Sequence, residues 1–175
     1  MSLTEGQICT VALGRVGEKQ AVDNLSANTT SAKLCKGLYE MARDAALEEY
    51  PWPFATRRAI LDVLADDEDD AESRSTAGWT YTYALPTDML IGGARYIETG
   101  LPNPAPDQQI PFSLADDEQE GPILLTNQED AELVYTRKVT ETGKFSPLFT
   151  DALAWRIAYE LALCLPVKPE VGVRM

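Results

Sequence analysis

The chain lacks histidine altogether. Its absence excludes Ser-His-Asp and Cys-His catalysis, the zincin motifs and most histidine-ligated metal sites, because each of them depends on an imidazole. Carboxylate chemistry stays open, and the adjacent Glu48 and Glu49 are the candidates for it, since paired carboxylates held across a cleft hydrolyse glycosides. Neighbouring positions of a helix point apart, which favours ordinary surface carboxylates instead.

Cysteine is scarce, with Cys9, Cys35 and Cys164 far apart in the sequence. Each of them falls in an apolar helical pattern, so we predict three reduced thiols in the core. A metal site needs paired ligands at short spacing, and the sequence offers none. We therefore predict no metal site.

A nucleotide-binding motif is also missing. Gly143-Lys144 is the one fragment that resembles part of a P-loop. Lys138 stands where that motif has its first glycine, and Phe145 stands where it has Ser or Thr. The sequence therefore predicts no cofactor.

Basic residues are few: 15 Lys and Arg stand against 28 Asp and Glu, which gives a net charge of -13. Tight phosphate binding requires clustered Lys and Arg, so we predict no sequence-specific nucleic-acid binding, although DNA can still pass such a protein without adhering to it. The densest acidic run covers 66–72 and predicts an open, solvated loop. It lacks the glycine-centred spacing of the known calcium loop.

Long apolar runs are absent too, since none reaches the roughly 18 residues of a spanning helix. The N-terminus lacks the basic and apolar regions of a signal peptide. We therefore predict no membrane span and expect the chain to fold in a cytoplasm.

Three helices are predicted from apolar periodicity and capping signals, at about 4–16, 28–49 and 147–165. Thr4 with Gln7 forms a capping box for the first, and Asn28 is the predicted cap of the second. Ser146 followed by proline is a typical start for the third.

A proline-rich aromatic stretch, Tyr50-Pro51-Trp52-Pro53-Phe54, ends the second helix. The two prolines fix their own backbone and remove two donors, so neither a helix nor a central strand continues through it. Trp52 and Phe54 each have a large apolar area to bury. We predict a packed corner at the point where a helical layer meets a sheet.

Beyond this corner, short strands are predicted within an insertion at about 55–140. Trp79-Thr80-Tyr81-Thr82-Tyr83 alternates aromatic and Thr residues, which indicates a half-buried strand and makes Tyr81 and Tyr83 candidates for structural or interface roles. The remaining predicted strands cover 59–64, 89–98, 110–114, 122–126 and 132–139. The fold class is therefore α+β: a helical bundle of N- and C-terminal helices with an inserted antiparallel β region, predicted as a single domain over 1–175.

Two further residues are interface candidates. Arg43 is predicted to lie on the solvent side of the second helix, where it could pair with Glu40 or with a neighbouring chain. Trp155 belongs to a second apolar stripe on the third helix, together with Tyr159 and Ala162, so two sides of that helix are apolar.

The order of motifs along the chain is more specific than any one of them. They are Ala12-Leu13-Gly14-Arg15-Val16-Gly17; Ala32, Cys35 and Tyr39; Arg43-Asp44-Ala45-Ala46-Leu47; Tyr50-Pro51-Trp52-Pro53-Phe54-Ala55; Trp79-Thr80-Tyr81-Thr82-Tyr83-Ala84-Leu85-Pro86-Thr87-Asp88; and Phe145-Ser146-Pro147-Leu148-Phe149-Thr150-Asp151-Ala152-Leu153-Ala154 with Glu160-Leu161-Ala162. In this order they resemble the tail tubular protein A family of short-tailed bacteriophages, which are head-to-tail adaptors below the portal.

The resemblance implies a structural virion protein rather than an enzyme. Members of that family form a dodecameric ring between the portal and the tail nozzle, and DNA leaves through its centre. The expected partners are thus a portal protein, a nozzle protein and further copies of the chain, with the subunit at the head–tail junction after assembly and in the host cytoplasm before it. Family chains usually continue past the last helix with another helical segment, whereas this sequence breaks at Pro166 and stops at Met175. Whether the chain is truncated or a shorter relative stays open, and so does docking to the portal through such a segment.

Two other functions stay open at this point. One is a peptidoglycan hydrolase activity carried by a tail protein, which would use the acidic residues. The other is an acidic protein-binding module, such as a DNA mimic, which needs carboxylates ordered at the spacing of phosphates.

Overall fold

The computed structural model describes residues 2–66, 78–101 and 105–164. The acidic run predicted as a loop therefore lies outside the described residues beyond Asp66. The fold is α+β, as predicted, with three α-helices and antiparallel sheets. The chain divides into a helical unit, Met1–Ala55 with Lys138–Met175, and a β unit, Thr56–Arg137.

The first helix, α1, runs over Glu5–Arg15, and its predicted capping box is present. The Thr4 hydroxyl accepts a hydrogen bond from the backbone N–H of Gln7, and the Gln7 side chain accepts one from the backbone N–H of Thr4. Gly17 adopts a φ of 85° just past the helix, a left-handed conformation that glycine adopts without a Cβ penalty.

The second helix, α2, runs over Thr30–Glu49, about 30 Å at 1.5 Å per residue. Its N-cap is Thr29 and not the predicted Asn28. The helix was predicted to start at 28, which is two residues too early. Thr29 has extended backbone geometry, and its hydroxyl accepts a hydrogen bond from the N–H of Ala32 at 3.2 Å. Both residue types can cap a helix, and the position of the first helical turn decides which of them does.

The third helix, α3, runs over Pro147–Cys164. The Ser146 hydroxyl accepts a hydrogen bond from the Phe149 N–H at 3.2 Å, so the predicted cap is confirmed. The helix packs against both α1 and α2. Its large buried side chains are Phe149, Leu153, Ile157 and Leu161.

The β unit contains two antiparallel sheets. Its described strands are β1 (Thr56–Ile60), β2 (Val63–Asp66), β3 (Tyr81–Ala84), β4 (Met89–Ile97), β5 (Phe112–Asp117), β6 (Gly121–Thr126) and β7 (Glu132–Arg137). One sheet has the order β1-β7-β4 and the other has the order β2-β3-β6-β5. Both sheets contribute to one buried cluster, which contains Leu61, Tyr83, Ile97, Leu124, Ala131, Leu133 and Tyr135.

The single strand predicted at 59–64 is in fact two strands in different sheets. The chain leaves β1 after Ile60 and begins β2 at Val63. Leu61, between them, is buried, and its N–H donates to the carbonyl oxygen of Ala131 at 2.9 Å. The run is apolar because it crosses the core from one sheet to the other, and such a run cannot be distinguished from one buried strand by its composition.

Candidate subunit interface

The site begins with the outer side of α3. At about 100° per residue, four large apolar side chains of this helix fall within an arc of about 80°. They are Leu148, Trp155, Tyr159 and Leu163, with exposed fractions of 70%, 49%, 63% and 71%. We call these four residues the α3 outer face.

The buried side chains of α3 lie on the opposite side of the helix. Their arc begins at Phe149, about 100° around the helix from Leu148, and continues through Leu153, Ile157 and Leu161. This side of α3 contacts the other helices. A helix that is apolar on both sides is typical of one that is buried all round. Within the part of the chain that the structure describes, one of the two sides is covered and the other is exposed.

Trp155 is held in place by a basic side chain from α1. The guanidinium carbon of Arg15 lies 4.3 Å from the centre of the Trp155 ring, a cation–π contact. Arg15 also forms an ion pair with the Asp151 carboxylate and donates to the Asp151 backbone oxygen at 3.0 Å. The exposed indole is therefore preorganised, and the Trp155 side chain loses little conformational entropy when a partner binds it.

The apolar surface extends from α3 towards α1. Leu3 and Val11, with exposed fractions of 36% and 39%, border a small cavity of about 260 Å³ next to Arg15. On another side of α3, Arg156 forms an ion pair with Glu49 at 2.8 Å. The arrangement combines exposed aromatic and apolar groups with charged pairs, and interfaces have this composition.

Trp52 and Phe54 lie together in an aromatic cluster of the helical unit. Trp52 is 8% exposed, and its ring meets Phe149 edge to face at a centroid distance of 5.1 Å. Phe54 lies 5.2 Å from Phe149 and 5.9 Å from Phe145. Trp52 Nε1 also donates to the carbonyl oxygen of Ala46, in the last turn of α2, at 2.8 Å. The predicted corner is thus a packed element that joins the end of α2 to α3.

Arg43 is buried, with 3% exposure, so its predicted place on the solvent side is wrong. Its Nε donates to Asp44 Oδ1 at 2.8 Å, and Lys138 Nζ lies 3.0 Å from Asp44 Oδ2. The predicted partner, Glu40, is not the observed one. The long apolar stem of arginine lets it follow the buried side of α2 while its head remains paired.

Tyr81 and Tyr83 are neighbours on β3, with ring centroids 6.1 Å apart. Tyr83 is almost fully buried, and its hydroxyl donates to the carbonyl oxygen of Gln128 at 2.8 Å. Burial raises the pKa of Tyr83 above its ordinary value. Tyr81 is half-buried. The pair stabilises the β unit.

The cysteines differ from one another in burial. Cys9 and Cys35 are free and buried, while Cys164, in the last turn of α3, is exposed. The prediction of three core thiols is therefore wrong for Cys164. The neighbouring Cys35 thiol, and then burial, raise the pKa of Cys9 above its ordinary value. A thiol that stays protonated is a poor nucleophile.

Glu48 and Glu49 are both exposed at the end of α2, and Glu49 is engaged by Arg156. Within the described residues, no group of three or more carboxylates and thiols has the arrangement of a metal site. None of the described helices combines the length and the apolar character needed to cross a bilayer.

Leu148 and Leu163 are the interface residues that the sequence did not single out. The second apolar stripe of α3 was visible from periodicity, but it was traced only through Trp155, Tyr159 and Ala162. Periodicity shows that two sides of a helix are apolar, whereas the packing of α1 and α2 decides which of them is covered.

No family model matches the sequence, and a search of curated proteins returns no match.

Proposed function

We propose that this chain is a structural subunit of the head-to-tail connector of a short-tailed bacteriophage. In this role, copies of the chain form a ring, a dodecamer by the family resemblance, that joins the portal to the tail nozzle and surrounds the exiting DNA. The order of the sequence motifs suggests the family, and the α3 outer face is the observation that carries the proposal.

The α3 outer face supports a subunit of an assembly for an energetic reason. Burying a large apolar side chain stabilises by about 1.5–3 kcal/mol, and these four are about half exposed or more. Covering them in a neighbouring subunit would therefore contribute roughly 1 kcal/mol for each side chain. Exposed apolar patches with polar surroundings mark protein–protein contacts more often than functionless surface.

The charge of the chain is consistent with a wall around DNA. With a net charge of -13, the subunit repels phosphate and gives the genome no adhesive surface. Screening limits this repulsion to about 8–10 Å at physiological salt, so only carboxylates that face the lumen take part.

Particles of the phage or prophage that encodes the chain provide the test. Electron microscopy with a labelled copy is expected to locate the chain at the head–tail junction, and deletion of its gene is expected to leave heads without tails. Normal, infectious particles from the deletion would overturn the proposal.

Complementation of the deletion tests the α3 outer face itself. Trp155→Ala and Tyr159→Arg are expected to fold, because Trp155 is about half exposed and Tyr159 largely exposed, and to fail in restoring tailed particles. Met41→Arg is the matched control, since Met41 is an exposed apolar residue of α2, and it is expected to restore them. Equal rescue by all three variants would show that the face is not an interface.

A further inference from the structure

The β unit contains an apolar groove of about 840 Å³, a size typical of ligand sites. It lies between strands β4 and β5 and the turn that precedes β4. The apolar side chains that line it include Leu85, Met89, Ile91, Leu114 and Ala115. Ile91 is the most exposed of them, at 88%, so a large apolar side chain borders an open groove.

The groove lies where two sheet edges separate. Strands β4 and β5 are each the last strand of their own sheet. Ile97, the last residue of β4, forms an isolated antiparallel bridge with Ile110, which precedes β5 by two residues, and the pairing does not continue into β5. Had it continued in the same register, Ile91 would lie opposite Asp116, and both of these residues line the groove instead.

The pairing of β4 is irregular beside the groove. The pairing of β4 with β7 shifts register between Met89 and Ala94, and Gly92 within this stretch has a φ of 80°. A Cβ on Gly93 would lie 2.5 Å from the backbone oxygen of Thr136, so this position requires glycine. Bulges bend a strand and re-aim its side chains. Here the irregular stretch contains Ile91 and Gly92, and both of them line the groove.

We propose that this groove binds an extended peptide strand of a partner protein, with alternating apolar side chains and at least one Lys or Arg. Two sheet edges offer backbone donors and acceptors to an added strand, which is the chemistry of β-strand addition. The apolar lining takes the alternate side chains. Asp116, an exposed carboxylate of the described lining, supplies the charge complementarity for a basic residue.

Nucleic acid is not the occupant, because an acidic lining repels phosphate. The inference does not rest on the proposed function, since it is derived from the edges, lining and charge of the β unit alone.

A randomised heptapeptide display library, panned on the full chain, tests the inference. The double variant with Ile91→Arg and Leu114→Arg serves as the counter-selection, and circular dichroism checks that it folds. Enriched peptides are expected to alternate apolar residues and to contain Lys or Arg. No enrichment over the double variant would overturn the inference, and so would enrichment of acidic or helix-patterned peptides.

The most enriched peptide is then synthesised and its affinity measured by fluorescence anisotropy. Ile91→Arg is expected to weaken binding about tenfold or more, whereas Ile60→Arg is expected to leave it unchanged. Ile60 is a matched control because it is an exposed isoleucine, at 74%, on another edge strand of the same unit. N-methylation of alternate peptide nitrogens is expected to abolish binding, because it removes the backbone donors. Undiminished binding after N-methylation would show that no strand is added.

Discussion

Replacement of Trp52 gives the most direct measure of what holds the helical unit together. The side chain is 8% exposed, so almost all of its apolar area is lost from the core in Trp52→Ala. Truncation of a buried aromatic residue costs about 3–5 kcal/mol, which includes the cavity that is left behind. The edge-to-face contact with Phe149 adds to the loss, since such pairs contribute about 0.5–1.5 kcal/mol beyond burial.

Trp52→Phe separates the hydrogen bond from the packing. It keeps an aromatic ring but removes the indole N–H that donates to the Ala46 carbonyl oxygen at 2.8 Å. Leaving that buried acceptor without its donor costs about 1–3 kcal/mol. We therefore expect Trp52→Phe to destabilise the helical unit less than Trp52→Ala does.

Urea unfolding followed by far-ultraviolet circular dichroism measures both variants, because the α-helices belong to the helical unit. Trp155→Ala is the matched control: this tryptophan is 49% exposed, so its loss is expected to cost only about 1 kcal/mol, mainly from the contact with Arg15. A loss below about 1 kcal/mol in Trp52→Ala would refute the reasoning, because no buried aromatic anchor is removed so cheaply.

Two further predictions concern single groups. The Tyr135 hydroxyl donates to Asp88 at 2.7 Å, and burial followed by this carboxylate raises the pKa of Tyr135 to about 12. A pKa that is raised in the folded state gives stability that is complete below pH 10 and is lost towards pH 12. We therefore expect the difference in stability between the wild type and Tyr135→Phe to be constant at neutral pH and to shrink between pH 10 and pH 12. A difference that grows in this interval would contradict the assignment. Gly93→Ala is expected to destabilise by about 1–3 kcal/mol, since its Cβ would lie 2.5 and 2.7 Å from two backbone oxygens. Gly14→Ala is expected to stabilise α1 by roughly 0.5–1 kcal/mol in the same urea assay, because nothing lies within 4 Å of the added Cβ. Equal changes in stability for the two glycine variants would show that the room for a Cβ does not determine the effect.

The helices could be predicted closely because their signals are local. The capping box at Thr4, the Ser146 cap and the 3.6-residue period each depend on residues a few positions apart. The ends of the strands were harder to predict, because a strand ends where its pairing with the neighbouring strand ends. Leu61 shows the limit most clearly: it belongs to a continuous apolar run, yet the chain changes sheets at this point.

The candidate site was only partly visible for the same reason. Trp52 and Phe54 were expected to pack in the corner, and they do. The burial of Arg43 and the exposure of Cys164 were not expected, since both depend on which neighbours cover a given stretch of helix. The groove of the β unit had no signal in the sequence, because it depends on the register of β4 and on which strands form the edges of the two sheets.

The sequence by itself determined that the chain is α+β, that it lacks histidine chemistry, that it carries a large negative charge, and where the helices and the corner fall. These properties follow from composition and from interactions between near neighbours. Only the tertiary structure decided which apolar side of α3 is buried, which sheet each strand joins, and where β4 and β5 part. Those outcomes depend on contacts between residues far apart in the sequence. Apolar periodicity does not distinguish a side chain that is buried in the core from one that is exposed on a surface for a partner.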